Sequence, residues 1–152
     1  MKLPSEWTLG PFRIDHAGLL SPATPERFPT FGVRWRNRRV VVRMRRRSEQ
    51  DAAHGLLEMQ VSLGRVPSSA GRDSGLRQQA LAVTASLRRL GPASWAFRLL
   101  ADHAVQIDTS VPIALPVSMT SLVGELTRFL LTLDPYLDAL ETVGLQPSGA
   151  LH

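Results

Sequence analysis

The most informative part of the sequence is Phe31-Gly-Val-Arg-Trp-Arg-Asn-Arg-Arg-Val-Val-Val-Arg-Met44. Apolar residues and arginines alternate on both sides of Asn37, which is typical of a β-hairpin with one buried face and one solvent-facing face. A two-residue turn at Asn37-Arg38 places six apolar side chains on the same face, in three cross-strand pairs. The predicted pairs are Trp35 with Val40, Val33 with Val42, and Phe31 with Met44.

The opposite face of this hairpin is predicted to be cationic. Five arginines lie on it, with Arg46 and Arg47 beyond them. They are Arg34, Arg36, Arg39, Arg43 and Arg45. Such a row can neutralise several phosphates and would give a salt-dependent affinity, so these five are candidate polyanion-binding residues. Two alternatives stay open: a solvated polar surface in an arginine-rich chain, and a face covered by acidic groups of residues 101–152 or of a second chain.

The segments around the hairpin predict further strands and a helix. Apolar residues alternate in 56–63, which indicates a third strand, and recur at helical spacing in 76–90, where Gly91-Pro92 ends the helix. A second hairpin is predicted over 95–107, with a loop at 101–103. Residues 64–75 are rich in Gly, Ser and Pro and are predicted to be flexible. Near the N-terminus, strand residues are expected at Phe12, Ile14 and Leu19-Leu20.

Ser118 is predicted to cap a C-terminal helix, because serine oxygens accept hydrogen bonds from exposed N–H groups at helix starts. Pro135 is expected to end that helix, with Asp134 capping a second, short helix from Tyr136 to Val143. The element order predicts one α+β domain over residues 1–145 and a flexible tail over 146–152. Its architecture is an antiparallel sheet with helices packed on one face, a two-layer sandwich.

Composition narrows the classes of function. The chain has 152 residues, a formal charge of +5, and no cysteine, so disulfide frameworks and thiol chemistry are excluded. Residues 1–100 carry 17 basic and 7 acidic side chains, a net charge of +10. Residues 101–152 carry one basic and six acidic side chains, a net charge of −5. Halves of opposite sign can steer two copies together or attract a polar partner.

No motif indicates catalysis or a cofactor. The only lysine is Lys2, which excludes a P-loop, and no Gly-x-Ser-x-Gly elbow occurs. Four histidines, His16, His54, His103 and His152, are far apart, so a metal site is not expected. Asp102-His103 is interpreted as ordinary turn residues. The sequence has no run of about 18 apolar residues and no signal-peptide core, so we expect a cytoplasmic protein that does not span a membrane. Because no catalytic motif is found, we also expect that the protein is not an enzyme.

The second half of the chain resembles the YbjN and type III secretion chaperone-like family. The resemblance is carried by the helix 76–90, by Trp95-Ala-Phe-Arg-Leu-Leu-Ala-Asp-His-Ala-Val-Gln-Ile-Asp, by Val111-Pro-Ile-Ala-Leu-Pro, and by the leucine-rich C-terminal helix. It covers residues 76–143. It implies a small α/β sandwich, often dimeric, that binds a protein segment and catalyses nothing. The chain departs from that family in its basic charge and in having no clear N-terminal helix.

The C-terminal helix is the predicted protein contact. Its apolar residues surround more than one side, and a helix that is apolar on two faces is buried on two faces. We therefore expect a homodimer, or a client segment, at four residues. They are Leu126, Phe129, Leu130 and Leu133. A chaperone-like or adaptor function is the first hypothesis, and nucleic-acid binding by the five arginines is the alternative.

Overall fold

The computed structural model describes residues 6–24, 27–67, 74–145 and 147. Nine strands and two helices form there. The first strands are β1 (Glu6–Leu9), β2 (Phe12–Asp15), β3 (Leu19–Pro22), β4 (Thr30–Trp35), β5 (Arg38–Ser48) and β6 (Asp51–Arg65). After them come α1 (Ser74–Leu90), β7 (Trp95–Leu99), β8 (Ala104–Ala114), β9 (Val117–Ser118) and α2 (Met119–Thr142).

All strands are antiparallel, but they form two sheets rather than the single sheet expected. The larger sheet has the order β4-β5-β6-β8-β7, and the smaller has the order β1-β2-β3-β9. The mixed α+β class is therefore confirmed. The first three strands form the smaller sheet, in which β3 pairs with β9 through Leu19 and Leu20, and a one-sheet interpretation of the sequence does not predict this.

The hairpin around Asn37 is present, with its faces as predicted and its register two residues away. Trp35 pairs with Arg38, and Val33 pairs with Val40. The turn residues are Arg36 and Asn37, whose φ angles of 47° and 62° fit the left-handed pair of a type I′ turn. A shift by two keeps the side chains of both strands on their faces, but it moves Arg36 from the outer face into the turn and brings Arg38 to the buried side.

The inner face of the larger sheet forms the core. Alternate residues of its three central strands are almost fully buried, as the period-two pattern predicts. They are Val40, Val42 and Met44 of β5; Leu57, Met59, Val61 and Leu63 of β6; and Val105 and Ile107 of β8. The predicted hairpin of β7 and β8 is confirmed, with Phe97 opposite Ile107 and Leu99 opposite Val105.

Helix α1 is confirmed, but its ends are less buried than its spacing predicts. Ala80 and Leu87 face the core, whereas Leu90 at the last turn is 77% exposed. Residues 68–73, half of the segment 64–75 predicted to be flexible, lie outside the described residues. So do 146 and 148–152 of the predicted tail.

The predicted break at Pro135 is wrong. Helix α2 runs through it as one helix, and Ser118 caps its start by accepting a hydrogen bond from the N–H of Ser121 at 3.1 Å. Proline removes one backbone hydrogen bond of the helix, and the other hydrogen bonds of the helix can remain. Leu133 and Leu137, on either side of it, are completely buried, and this packing holds the helix together.

Candidate anion-binding face

Two neighbouring strands place a row of arginines on the outer face of the larger sheet. Within the described residues, no other surface carries such a row. Exposed side chains occur on the outer face of all five strands, so no helix covers it. Arg34, Arg39 and Arg43 lie on this face as predicted, and all three are exposed. We call them the arginine trio.

The trio breaks a rule of sheet pairing. Arg34 lies directly opposite Arg39 in the ladder between β4 and β5. Like charges in this position destabilise a sheet. Among the described residues, no carboxylate forms an ion pair with any of the three side chains. Glu58 is the cross-strand partner of Arg43, yet its carboxylate contacts Arg45 Nε at 2.6 Å.

Arg45 is therefore on the predicted face, but its charge is compensated. Towards β7, the same face carries a second compensated arginine, Arg98, whose Nε lies 3.0 Å from Asp108 Oδ2. Uncompensated charge is thus concentrated on β4 and β5. The backbone supports this arrangement, since a Cβ atom at Gly32 would lie 3.0 Å from the Nε of Arg39. Glycine leaves the space that the Arg39 side chain crosses.

An open cavity of about 350 Å³ lies in the middle of this face. Its lining combines polar and small side chains from four strands, with Ser94 at its border. They include Val41, Arg43, Gln60, Ala96, Arg98 and Asp108. The cavity gives the outer face a concave shape at the point where the trio ends.

Arg36 does not belong to this face, so its assignment as a polyanion-binding residue is wrong. As a turn residue, it bends towards the C-terminal half of α2. Its guanidinium lies 3.2 Å from Asp134 Oδ1, 2.7 Å from Asp138 Oδ1 and 2.7 Å from Glu141 Oε2. Acidic groups of the C-terminal third thus cover part of the predicted arginine row, which is one of the alternatives left open by the sequence.

Two more side chains of the hairpin join this contact. Trp35 Nε1 donates to Asp134 Oδ1 at 3.0 Å. Arg38 is 2% exposed and donates from Nε to the backbone oxygen of Leu63 at 2.7 Å and from one terminal nitrogen to Glu141 Oε1 at 2.7 Å. We call these three residues and their three acidic partners on α2 the hairpin clamp. The sequence does contain its signal, because Asp134, Asp138 and Glu141 have the i, i+4, i+7 spacing of one helix face.

The electrostatics of the clamp fix the charge of Arg36. The hydrogen bond to Asp138 raises the pKa of Arg36, and Asp134 and Glu141 add to this effect against an opposing desolvation. Arg36 is therefore cationic at every pH at which the protein folds. Its charge is used inside the molecule and is not available to a ligand.

Two of the four predicted contact residues on α2 are core residues, so their assignment to a protein contact is wrong. Phe129 is 4% exposed and Leu133 is 0% exposed. The ring of Phe129 packs edge-on against Trp95, at a centroid distance of 5.4 Å. Leu126 and Leu130 are half-buried. The apolar residues that α2 does expose are Val123 and Leu131, at 51% and 61%.

The described residues show no group that could hold a metal ion. Across 6–24, 27–67, 74–145 and 147, no three histidine or acidic side chains are placed so that they could hold a metal ion. His54 Nδ1 lies 2.8 Å from Asp51 Oδ2 at the start of β6. Desolvation raises the pKa of Asp51, but the hydrogen bonds from His54 and from the N–H of Ala53 outweigh it and lower that pKa overall. Non-catalytic function stays a prediction.

His103 has a φ of 65° and closes the predicted turn of the second hairpin. Its N–H donates to the backbone oxygen of Leu100 at 2.9 Å, so its backbone role is that of a turn residue. Neither described helix has the length together with the apolar character that crossing a membrane requires.

Comparisons with known proteins assign no family to this arrangement: no family model matches the chain, and no curated protein or solved structure matches it either.

Proposed function

We propose that the chain is a non-catalytic, cytoplasmic protein-binding domain, chaperone-like or adaptor, whose outer sheet face receives an acidic segment of a partner protein. The observation that carries the proposal is the arginine trio, three exposed guanidinium groups on adjacent strands without an acidic partner among the described residues. Carboxylates placed between Arg34 and Arg39 relieve their mutual repulsion and form charge-assisted hydrogen bonds.

The edge of the sheet beside the trio favours a peptide as the partner. Strand β4 is the last strand of the larger sheet, and within the described residues no strand pairs with its outer side. Alternate backbone N–H and C=O groups of such an edge point outward and can bind a further strand. The trio thus lies next to backbone N–H and C=O groups with which no described strand pairs. An added peptide strand can pair with these groups, whereas nucleic acid cannot.

The two faces of β4 define the pattern of that segment. Arg34 lies on the outer face, and Phe31, Val33 and Trp35 lie on the inner face, where they are only half-buried. A strand added at this edge would place alternate side chains beside the arginines and beside these apolar residues. The partner segment is therefore expected to alternate acidic and apolar residues.

The fold supports the family part of the proposal. From α1 to α2, the order of a helix, a hairpin, the short strand β9 and a long helix agrees with the order that the YbjN and type III secretion chaperone-like resemblance implies over residues 76–143. Strands β1 to β3 precede it where that family usually has a helix. We propose a distant relationship on this basis, with protein-segment binding as the shared property.

The test uses a short synthetic peptide in which Asp and Val alternate, with Asn in place of each Asp in a control peptide. We expect the acidic peptide to bind, measured by fluorescence anisotropy, with an affinity that falls as salt rises. Changing the whole trio to glutamine should weaken binding at least about tenfold, because charge-assisted hydrogen bonds are lost. The control variant removes the same charge elsewhere on the exposed surface, at Arg47, Arg88 and Arg89, and should bind normally.

Hydrogen exchange separates strand addition from charge attraction alone. Binding of the acidic peptide at the edge should slow the hydrogen exchange of the outward-pointing amides of β4. The Asn control peptide should leave the exchange of these amides unchanged. Equal binding of both peptides, or an unchanged affinity in the trio variant, would overturn the proposal.

Nucleic-acid binding is the second candidate, because a row of unpaired arginines also matches phosphates. The outer face lacks exposed aromatic side chains among its described residues, and Trp35 lies on the inner side, so base stacking finds no platform there. Labelled DNA and RNA, titrated at low and high salt, decide this alternative. If DNA or RNA binds tightly and the acidic peptide does not bind, nucleic-acid binding replaces the binding of an acidic protein segment as the proposed function.

The proposed homodimer cannot use Phe129 and Leu133, which are buried in the core, so we propose a contact on the exposed side of α2. Val123, Gly124, Thr127 and Leu131 form an exposed, uncharged strip on α2, and its small residues would allow two helices to approach closely. We expect light scattering to give twice the chain mass of 16.7 kDa, and Leu131→Glu to give the single mass. A wild-type monomer at high concentration would contradict dimerisation.

A further inference from the structure

We propose that a second cavity, between the two sheets, binds a small organic anion with an apolar body, such as a medium-chain or aromatic carboxylate. The cavity has a volume of about 220 Å³ and lies among β3, the loop before β4, the end of β5 and the connection from β8 to β9. It is separate from the arginine trio, since none of the three residues lines it.

The floor of this cavity is apolar. Leu20 and Met44 are 1% and 2% exposed, and Leu115 is half-buried beside them. Phe28 also lines the cavity and is 55% exposed, so an aromatic ring stands at the opening with much of its surface uncovered. A ligand body of hydrocarbon would bury both the floor and this ring, which is the main source of affinity in pockets of this kind.

The rim of the cavity is cationic. Arg46 continues the inner row of β5, following Val40, Val42 and Met44, at the place where the pattern calls for another apolar residue. Arg27 reaches the rim from the loop before β4. Within the described residues neither side chain has an acidic partner, whereas the guanidinium of Arg45 is paired with Glu58.

These two features together define the ligand. The guanidinium groups of the rim favour an anion. The apolar floor disfavours an inorganic ion, because such an ion would lose bound water there and gain no hydrogen bonds from the floor. The volume of about 220 Å³ suits a small molecule. A carboxylate with an aliphatic or aromatic body satisfies both the rim and the floor.

The test compares octanoate with octylammonium, which share the chain and differ in the sign of the head group. Backbone amide NMR spectra of the full chain are recorded during each titration. We expect octanoate to shift the amides of Phe28, Arg46 and Leu115 at millimolar or lower concentration. Octylammonium should bind at least about tenfold more weakly, since it lacks the charge-assisted hydrogen bonds.

Variants locate the binding in the cavity. Arg46→Gln should weaken octanoate binding several-fold, whereas Arg47→Gln, the neighbouring exposed arginine that does not line the cavity, should not. Ala52→Trp places a large side chain at the lining and should abolish binding, while retained thermal stability would show that the variant folds. Equal binding of the two amphiphiles, or shifts confined to the exposed Trp7 and Leu9 of β1, would overturn the proposal.

Discussion

Replacement of Leu133 by alanine is expected to lower the free energy of unfolding by about 2–5 kcal/mol, the cost of removing a buried leucine side chain. The side chain is completely buried on the inner side of α2, so its removal loses transfer free energy and leaves a cavity in the close-packed core. Urea denaturation followed by circular dichroism measures the change.

The matched control is Leu90→Ala, in the last turn of α1. Leu90 is 77% exposed, and we expect its substitution to change the free energy of unfolding by less than about 1 kcal/mol. The comparison separates a core residue from a surface residue with the same chemistry and the same helix propensity. If Leu133→Ala alters only self-association and leaves stability unchanged, Leu133 is an interface residue and the packing described for α2 is wrong.

Replacement of Glu141 by alanine should also destabilise the protein strongly. We expect a loss of about 2–3 kcal/mol of stability, because the buried guanidinium of Arg38 then lacks its carboxylate partner. The value is placed below that of a fully buried ion pair since the Glu141 side chain is 37% exposed. A second terminal nitrogen of Arg38 already has no partner within the described residues, so without Glu141 the guanidinium keeps only its hydrogen bonds to the backbone oxygens of Leu63 and Arg36.

Asp138→Ala is the control for the clamp. Asp138 contacts only Arg36 in that cluster, and its side chain is 70% exposed, so its removal should cost less than about 1 kcal/mol. In a double-mutant cycle, Arg38→Met should reduce the cost of Glu141→Ala, because no buried charge then remains to be left unpaired. A Glu141→Ala variant as stable as Asp138→Ala would show that the clamp does not secure the hairpin to α2.

The two faces of the larger sheet could be predicted, because buried and exposed residues alternate along each strand in step with the side-chain directions. Val40, Val42 and Met44 alternate with Val41 and Arg43, and every register that differs by two residues puts the three together inside. The register could not be predicted as securely. Both Asn37-Arg38 and Arg36-Asn37 place one asparagine in the turn, and only the backbone angles of the folded chain distinguish them.

That register decides which arginines are available to a ligand. A shift of two residues takes Arg36 to the turn and Arg38 to the interior, where acidic residues of α2 compensate them. Those acidic residues are about a hundred positions away in the chain. Local patterns carry no information on which helix packs behind a hairpin, so this part of the site required the tertiary structure.

The same reason explains the misassigned contact residues. The apolar character of α2 on more than one side predicts burial on more than one side. In the structure the buried residues lie on one face of the helix, whereas Leu131 on the opposite side is exposed. Sequence alone does not identify what buries it. Trp95 of β7 and Tyr136 of α2 itself complete an aromatic cluster with Phe129, so the same chain supplies the cover expected from a second copy.

The binding of an acidic segment by the arginine trio is best tested by an NMR titration that observes the arginine Nε–H groups while the peptide of alternating Asp and Val is added. We expect shifts for Arg34, Arg39 and Arg43, with Arg36 and Arg38 unchanged because acidic residues of α2 already hold them. Shifts at Arg36 and Arg38, or no shift in the trio at saturating peptide, would contradict the proposed function.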